Sequence, residues 1–551
     1  MARLDRLPTI REVAQLGAVL GREFSYEMLQ SIASMKETDL QQGLERLVDA
    51  ELLYQRGRPP RARYIFKHAL VQDAAYQALL KRKRQDYHRQ AAEMLETRFP
   101  EIVQTQPELV AHHYTEAGLA EQAVKHWNEA GQQALQRSAN LEAVAHLRKA
   151  LEVLMTLPES AERDRQELAL QTTLGPALMA TKGFGAPEVA EAYVRAQELC
   201  ERVGDTKELF IARWGLFAHR IFRAEHHTSL TMAQQLIDLA ENLPETEYQL
   251  EAHLTLGVSH LFVGELQTAR EHLQESIRLY NSERHAALAF IYGGIDPGVV
   301  CLAYLAWTLW LLGDVEQAIS RADQALALSR RLDNAYTLAR SLYMDAMLRQ
   351  FVGDWQAVRA DAEEAIAIAT EQNIALVQAV GPIMLGWTLV CRGQEADGAS
   401  KIRQGIEAYR ETGAVFQLPH LMVPLAEAAR ALGRPEEGLD VLAEAMVQVE
   451  STGERYFETE LHRLQGEMLL AQSPSNHGPA EDAFQKALAV AGAQQAKSLE
   501  LRAATSLARL WHDQGKTTEA RDLLAPVFGW FTEGFDTTDL KDAKTLLNDL
   551  T

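Results

Sequence analysis

Apolar and polar positions recur along most of this chain with a fixed period. A Gly is followed by four mostly polar residues and then a small or apolar one, as in GELQTA at Gly264, GDVEQA at Gly313 and GDWQAV at Gly353. The same element stands at Gly118, Gly393, Gly433 and Gly515, and Gly313, Gly353, Gly393 and Gly433 follow one another at intervals of 40 residues. Seven residues before each Gly sits a small residue: Ala111, Gly257, Ala306, Ala346, Gly386, Ala426 or Ala508. One position earlier the residue is aliphatic in every copy except that of Gly353, where it is Asp345. After the Gly, one helical face is small or apolar throughout, as with Ala318, Ala322 and Ala325. Each unit therefore predicts a helix, a turn in which Gly takes the left-handed conformation, and a second antiparallel helix. A long run of such units predicts a stack that shares one continuous core.

The pattern resembles the tetratricopeptide repeat over most of residues 105–530, with repeats of about 40 residues rather than 34 and helices correspondingly longer. The expected fold is all-α: a tetratricopeptide-like α-solenoid superhelix over 251–530, degenerate helical repeats over 101–250, and a C-terminal capping helix over 531–551. Gly264 and Gly313 are 49 residues apart, and the excess falls in SERHAALAFIYGGIDPGVV, residues 282–300. Its turn chemistry has two readings. One is a loop over the concave surface, with Tyr292, Gly293, Gly294 and Asp296 contacting a partner; the other is a surface insertion without a role. Gly515-Lys516-Thr517 looks like the tail of a phosphate-binding loop, but the first Gly of that motif would fall at Leu510, and SLARLWHDQ ahead of it reads as helix. Gly515 is instead the turn glycine of the last repeat.

The first hundred residues follow another plan. TIREVAQLGAVLG, SYEMLQSIA and KETDLQQGLERLVDAEL predict three helices, the third capped by Thr38. LLYQ, the turn RGRPPRA and RYIF predict a β-hairpin, so residues 1–100 are expected to form a small winged-helix domain with trailing helices. The hairpin carries Arg56, Arg58, Arg61 and Arg63, and Lys81, Arg82, Lys83 and Arg84 follow, a possible basic patch for DNA or a protein partner. The third helix carries Asp39, Glu45, Asp49 and Glu51, a face better suited to protein than to a major groove.

Net charge sharpens this division. Residues 1–100 hold 17 Lys and Arg against 13 Asp and Glu, and the remainder 38 against 63, for −21 overall. An acidic body argues against nucleic acid or an anionic membrane as its partner. Cys200, Cys301 and Cys391 are far apart with no C-x-x-C, which suits reduced, mostly buried thiols in a cytoplasmic protein. No apolar signal segment opens the sequence. The apolar runs 299–313 and 374–391 fall on repeat helices, so no membrane span is expected.

EVAQLGAVLGREFSYEML, GLERLVDAELLYQRG, YIFKHALVQDAAYQALL, PELVAHHYTEAG and GWFTEGFDTTDLKDAK together resemble the C-terminal half of bacterial STAND-type predicted ATPases. In many of those proteins a class III adenylate/guanylate cyclase domain and a P-loop ATPase domain come first. The resemblance implies that Met1–Leu7 is an internal start and that the cyclase and P-loop domains are missing from this chain. It also implies a winged helix that closes over bound ADP, with His68 at the position of a phosphate-touching His. His68 also reads as an ordinary histidine at a helix start. The resemblance further implies autoinhibition of an NTPase that is relieved by ligand.

Catalytic and metal chemistry find little support in the residues. His112-His113 with Glu116, Glu225-His226-His227, and Glu458, Glu460 and His462 place acids near imidazoles, but none has the H-E-x-x-H form. No G-x-S-x-G occurs. Trp307, Trp310, Trp387 and Trp511 lie on first helices of repeats, where packing is their expected work. The sequence therefore predicts a non-enzymatic regulatory scaffold with no metal and no cofactor of its own. It would bind a protein, a peptide or a small effector on the concave repeat face and act with an NTPase or cyclase module. Two alternatives remain: the regulatory part of an ATP-dependent cyclase, and a DNA-binding regulator.

Overall fold

The structure, a computed structural model, describes residues 8–551, with side chains from Ile10 onward. Met1–Leu7, the segment matched to an internal start, lies outside the described residues. The chain divides into two compact units. One is the chain up to Ala134 together with Glu142–Leu170; the other is Leu135–Leu141 together with Gln171–Thr551.

The first unit opens with α1 (Pro8–Leu20), β1 (Glu23–Ser25), α2 (Tyr26–Ile32) and α3 (Glu37–Asp49). These are followed by β2 (Leu53–Arg56), β3 (Arg63–Phe66), α4 (Ala69–Gln77) and α5 (Lys81–Arg98). The three strands form an antiparallel sheet in the order β1-β3-β2, with Phe24 and Gln55 both opposite Tyr64. The hairpin pattern was visible in the sequence, whereas β1, three residues between two helices, was not. Phe24 is the inward residue of β1, 5.9 Å from the rings of Tyr64 and Phe66. A side chain at Gly17 would stand 2.6 Å from the Phe24 ring, so the glycine lets α1 lie against the strand. Lys36, not Thr38, occupies the N-cap of α3 and makes no side-chain bond; the helix starts one residue before Thr38.

The second unit is a row of antiparallel helix pairs. After Pro187–Val203 and the pair Thr206–Phe222 with His226–Ala240 come Thr246–Val263 with Leu266–Leu279, Pro297–Leu312 with Val315–Arg331, Ala335–Val352 with Trp355–Gln372, and Ala375–Cys391 with Glu395–Glu411. Leu418–Ala431 with Pro435–Thr452, Glu458–Gln472 with His477–Gln494, and Lys497–Asp513 with Thr517–Gly529 continue the row, and Thr538–Asp549 ends it. Gly264, Gly313, Gly353, Gly393, Gly433 and Gly515 have φ between 68° and 98°, as does Gly118 in the first unit at 76°. This left-handed backbone explains why glycine marks the turns. The period also runs upstream of Gly264, where Ala224 (φ 54°) and Gly183 (φ 94°) hold the turn positions. Because one turn residue is alanine, the motif fades there although the geometry persists. Helix Pro297–Leu312 is buried on nearly all sides, and among the described residues no helix is long and apolar enough to cross a membrane.

Asp345, the exception at its packing position, is 5% exposed. It accepts a bond from Arg349 Nε at 3.3 Å. Burial, and then the charge of Asp345, push the Asp361 carboxyl up to about 8. Cys200 and Cys301 are buried and Cys391, the last residue of its helix, is exposed, so the thiols are mostly buried.

Successive turns of this superhelix lie on one another. The carbonyls of Phe222, Phe262, Trp310 and Phe351 are at or near the C-terminal ends of first helices, where intrahelical donors run out. Donors from far along the chain reach them, at Trp310 O beside the local Gly313 N–H. Val415 N reaches Phe222 O at 2.9 Å and Arg455 N reaches Phe262 O at 2.8 Å. Ser498 Oγ reaches Trp310 O and Arg502 Nη2 reaches Phe351 O, each at 2.6 Å. A side chain at Gly185 would sit 2.5 Å from the Gly413 carbonyl, and one at Gly534 would sit 2.9 Å from Val315. Aromatic rings bridge the same turns, with Phe222 4.9 Å and Phe262 4.3 Å from Phe416. The C-terminal segment joins this seam through Glu533, which accepts from the N–H groups of Glu316 and Gln317 at a helix start. Its helix Thr538–Asp549 also covers apolar residues of the last repeat, with Leu540, Ala543 and Leu546 against Ala508, Ala520 and Leu524.

Candidate functional site

One position of the first helix faces the interior in repeat after repeat. Thirteen residues before the turn stand Glu251, Val300, Arg340, Val380, His420 and Arg502, and Glu460 holds the same place in the repeat whose turn residue is Ser473. Four of the seven are charged, in helices whose neighbouring positions are buried. The sequence reading missed this row. Its signal was a lone charge inside an apolar run, as in TLARSLYMDAM and SLELRAATSLARL.

In the later repeats the row opens into a polar cavity of about 430 Å³. Glu460 is its hub. It accepts from Arg463 Nε at 2.8 Å and Nη2 at 2.6 Å, and Arg502 Nη1 lies 3.6 Å away. Burial alone would raise the Glu460 carboxyl, but Arg463 and Arg502 outweigh it and hold the group near 2, so it is ionised. Arg463 also bonds Glu467, which accepts from Ser506 Oγ at 3.1 Å. Arg502 donates to Asp539 at 2.8 Å and stacks 5.0 Å from the Trp310 ring. Trp387 Nε1 donates to Glu427 at 3.1 Å, and burial pushes that carboxyl up. At the mouth, Arg430, Arg509 and Asp542 reach solvent. The cavity thus offers cations and anions side by side, fixed by buried partners, with exposed charges of both signs at its rim.

The residues singled out in the sequence are dispersed. His68 is exposed at the N-cap of α4 and makes no capping bond. Arg56, Arg58 and Arg61 are exposed at the hairpin, and Arg63 pairs with Glu23 at 3.2 Å. Lys81 and Arg82 are exposed, Lys83 pairs with Glu12 at 3.3 Å, and Arg84 lies 4.4 Å over the Tyr76 ring. The segment 282–300 is not a surface insertion. It turns inward, burying Tyr292 against Trp214 at 5.0 Å, and Asp296 accepts from Tyr280 Oη at 3.0 Å. Gly293 approaches Phe184, and Gly294 approaches Tyr336. Its apolar residues face the interior because the extra length fills space beside the first helices.

His113 contacts His88 at 2.8 Å, and burial lowers both imidazoles, to about 3 and about 4 respectively. Glu458 pairs with Arg455 at 2.9 Å, and His226 with Glu454 at 3.3 Å. Among the described residues no group of three or more His, Cys, Asp and Glu is arranged to hold a metal ion. Lys516 stands at the N-cap position of the helix Thr517–Gly529 without a capping bond, its ammonium 3.8 Å from Glu481, and nothing approaches Gly515.

This architecture is that of a tetratricopeptide-type helical solenoid. The tetratricopeptide repeat model matches residues 250–275, 299–324, 419–444 and 501–526, each spanning the body of one helix pair. The chain is similar to an uncharacterized protein of Rhizobium meliloti (strain 1021), 26% identical over 513 residues, covering 92% of this chain and 49% of that protein. The chain thus spans about half the length of the curated relative it matches. Among solved structures it is similar to a Rap protein complexed with Competence and Sporulation Factor, at 14% identity and a TM-score of 0.45, covering 73% of this chain and 99% of the other. It is also similar to a Signal Transduction ATPase with Numerous Domains (STAND) protein with a tetratricopeptide repeat sensor from Pyrococcus horikoshii. That match has 13% identity and a TM-score of 0.32, and covers 74% of this chain and 64% of the other.

Proposed function

We propose that the chain is a cytoplasmic, non-enzymatic sensor scaffold whose superhelix takes up a peptide or a peptide-like segment of a partner protein. The polar cavity carries this reading. Fixed charges of both signs, with solvent-reaching Arg430, Arg509 and Asp542 around them, suit the alternating charges and backbone amides of a short extended chain. The repeats supply the rigid frame. The first unit, which we read as a winged helix, would pass occupancy to an NTPase or cyclase module. The sequence resemblance to STAND-type ATPases supports that last step. His68 is the residue that would meet the nucleotide of such a module; this chain is proposed to hold no cofactor itself. Exposed Asp39, Glu45 and Asp49 on α3 favour a protein over DNA as the neighbour of this unit.

Short random-sequence peptides displayed on phage and panned against the purified chain test the proposal. Enrichment of mixed-charge peptides that Arg430→Glu or Arg509→Glu abolishes is the expected result. Enrichment indifferent to both substitutions, or none above background, would refute it.

A further inference from the structure

Two interior carboxyls of the superhelix accept from an indole, and their surroundings differ. Glu251 takes the Trp214 Nε1–H at 3.1 Å beside Arg340, in an apolar cavity of about 70 Å³. Glu251 is 1% exposed, and that space is well short of the roughly 150 Å³ that admits benzene. Glu427 takes the Trp387 Nε1–H on its Oε2, but it is only half-buried and lines the polar cavity of about 430 Å³. Among the described residues no other group donates to Glu427 and no cation forms an ion pair with it.

The charges of the inner wall point the same way. Glu427, Glu460, Glu467 and Asp539 supply four carboxyls, and Arg463 and Arg502 two guanidiniums. His420 adds no charge, because burial lowers its imidazole to about 3 and leaves it neutral. Arg430 stands 3.8 Å from Glu467 with its side chain half in solvent, and Arg509 is exposed. Burial, and then the charge of Glu460, raise the Glu427 carboxyl against the pull of Arg463 and Arg502. Burial raises Asp539 as well. Both hold their protons more tightly than free carboxyls, as acids short of a counter-ion do.

We propose that Glu427 seats a guanidinium of the ligand, the side chain of an arginine in the bound peptide. Oε1 is free to accept from it while Oε2 keeps the indole. A guanidinium gives up less hydration than an ammonium on entering a partly desolvated site, and its hydrogen bonds to a carboxylate are charge-assisted. The inner wall thus takes the cationic part of the ligand, and Arg430 and Arg509 at the rim take its anionic part. In naming a peptide the inference rests on the function proposed above; it adds which charge of the ligand lies inward.

Calorimetric titration of the full chain with n-butylguanidinium chloride, against the neutral isostere n-butylurea, tests the seat without a peptide. Saturable binding of the cation is expected, at least about tenfold tighter than that of the urea. Glu427→Gln, which can still accept from Trp387, should lose that preference. Thermal melts of the unaltered protein with each compound read the same preference without any variant. Equal response to the two compounds, a preference that survives in Glu427→Gln, or no response to the cation up to about 10 mM overturns the proposal. The two readings fail separately: panning that enriches no peptide removes the peptide, while a titration without preference removes the guanidinium seat.

Discussion

The earlier and later repeats place charge at the same interior position and treat it in opposite ways. In the later repeats Glu460 and Arg502 stand in a mesh with Arg463, Glu467 and Asp539, in which each arginine has a carboxylate partner. In the earlier repeats Glu251 and Arg340 stand in an apolar cavity, and the guanidinium has no ion-pair partner among the described residues. One repeat geometry thus yields a polar cavity of paired charges in the later repeats and an apolar cavity with an unpaired arginine in the earlier ones. A repeat fixes where a side chain points, while its neighbours decide what that side chain costs and what it attracts.

The largest effect expected from breaking this contrast is in the mesh. Glu460→Ala leaves Arg463 and Arg502 short of a carboxylate in a mostly buried setting, and should cost about 3–5 kcal/mol in denaturant unfolding. Glu251→Gln should act in the other direction. Folded, the Glu251 carboxyl keeps its proton to about 8, whereas the unfolded group releases it near the ordinary glutamate value of 4.5. The unfolded state therefore loses the proton first as pH rises. Stability from this group falls between those two values and is level above the upper one. The glutamine variant, which still accepts from Trp214, should gain about 4 kcal/mol on the parent at pH 8 and nothing at pH 4. Melting temperatures across that range check it. Gly185→Val pushes a methyl into the Gly413 carbonyl and should cost about 1–3 kcal/mol, read by the same melts. Lys516→Ala should change stability by less than about 0.5 kcal/mol, since its ion pair is long and its side chain is 44% exposed. It should leave any ATP binding, measured calorimetrically, untouched.

Much of the solenoid was legible before the structure. Glycines that need φ above zero and small residues where helices meet leave marks at fixed spacing, and those marks locate helix pairs such as Pro297–Leu312 with Val315–Arg331. The upstream repeats were blurred because Ala224 took a turn position without the glycine. The inward course of residues 282–300 was hidden because turn residues look the same whether they face solvent or a cavity. The interior row could have been found as isolated charges in apolar helices, yet that signal does not tell a paired charge from an unpaired one. Pairing depends on which helices stack, as when Arg502 meets Asp539 beyond the last repeat.

The bonds from Val415, Arg455, Ser498 and Arg502 back to the carbonyls of earlier helices also bear on how the molecule folds. A simple solenoid gains stability repeat by repeat, because each unit touches only its neighbours. Here contacts between residues more than 150 positions apart raise the contact order, which lengthens the search to the native state. They also link early and late repeats in one transition. Removing the last repeat should therefore weaken helices that lie nowhere near it in sequence, starting with Pro297–Leu312 and Ala335–Val352, whose terminal carbonyls it holds.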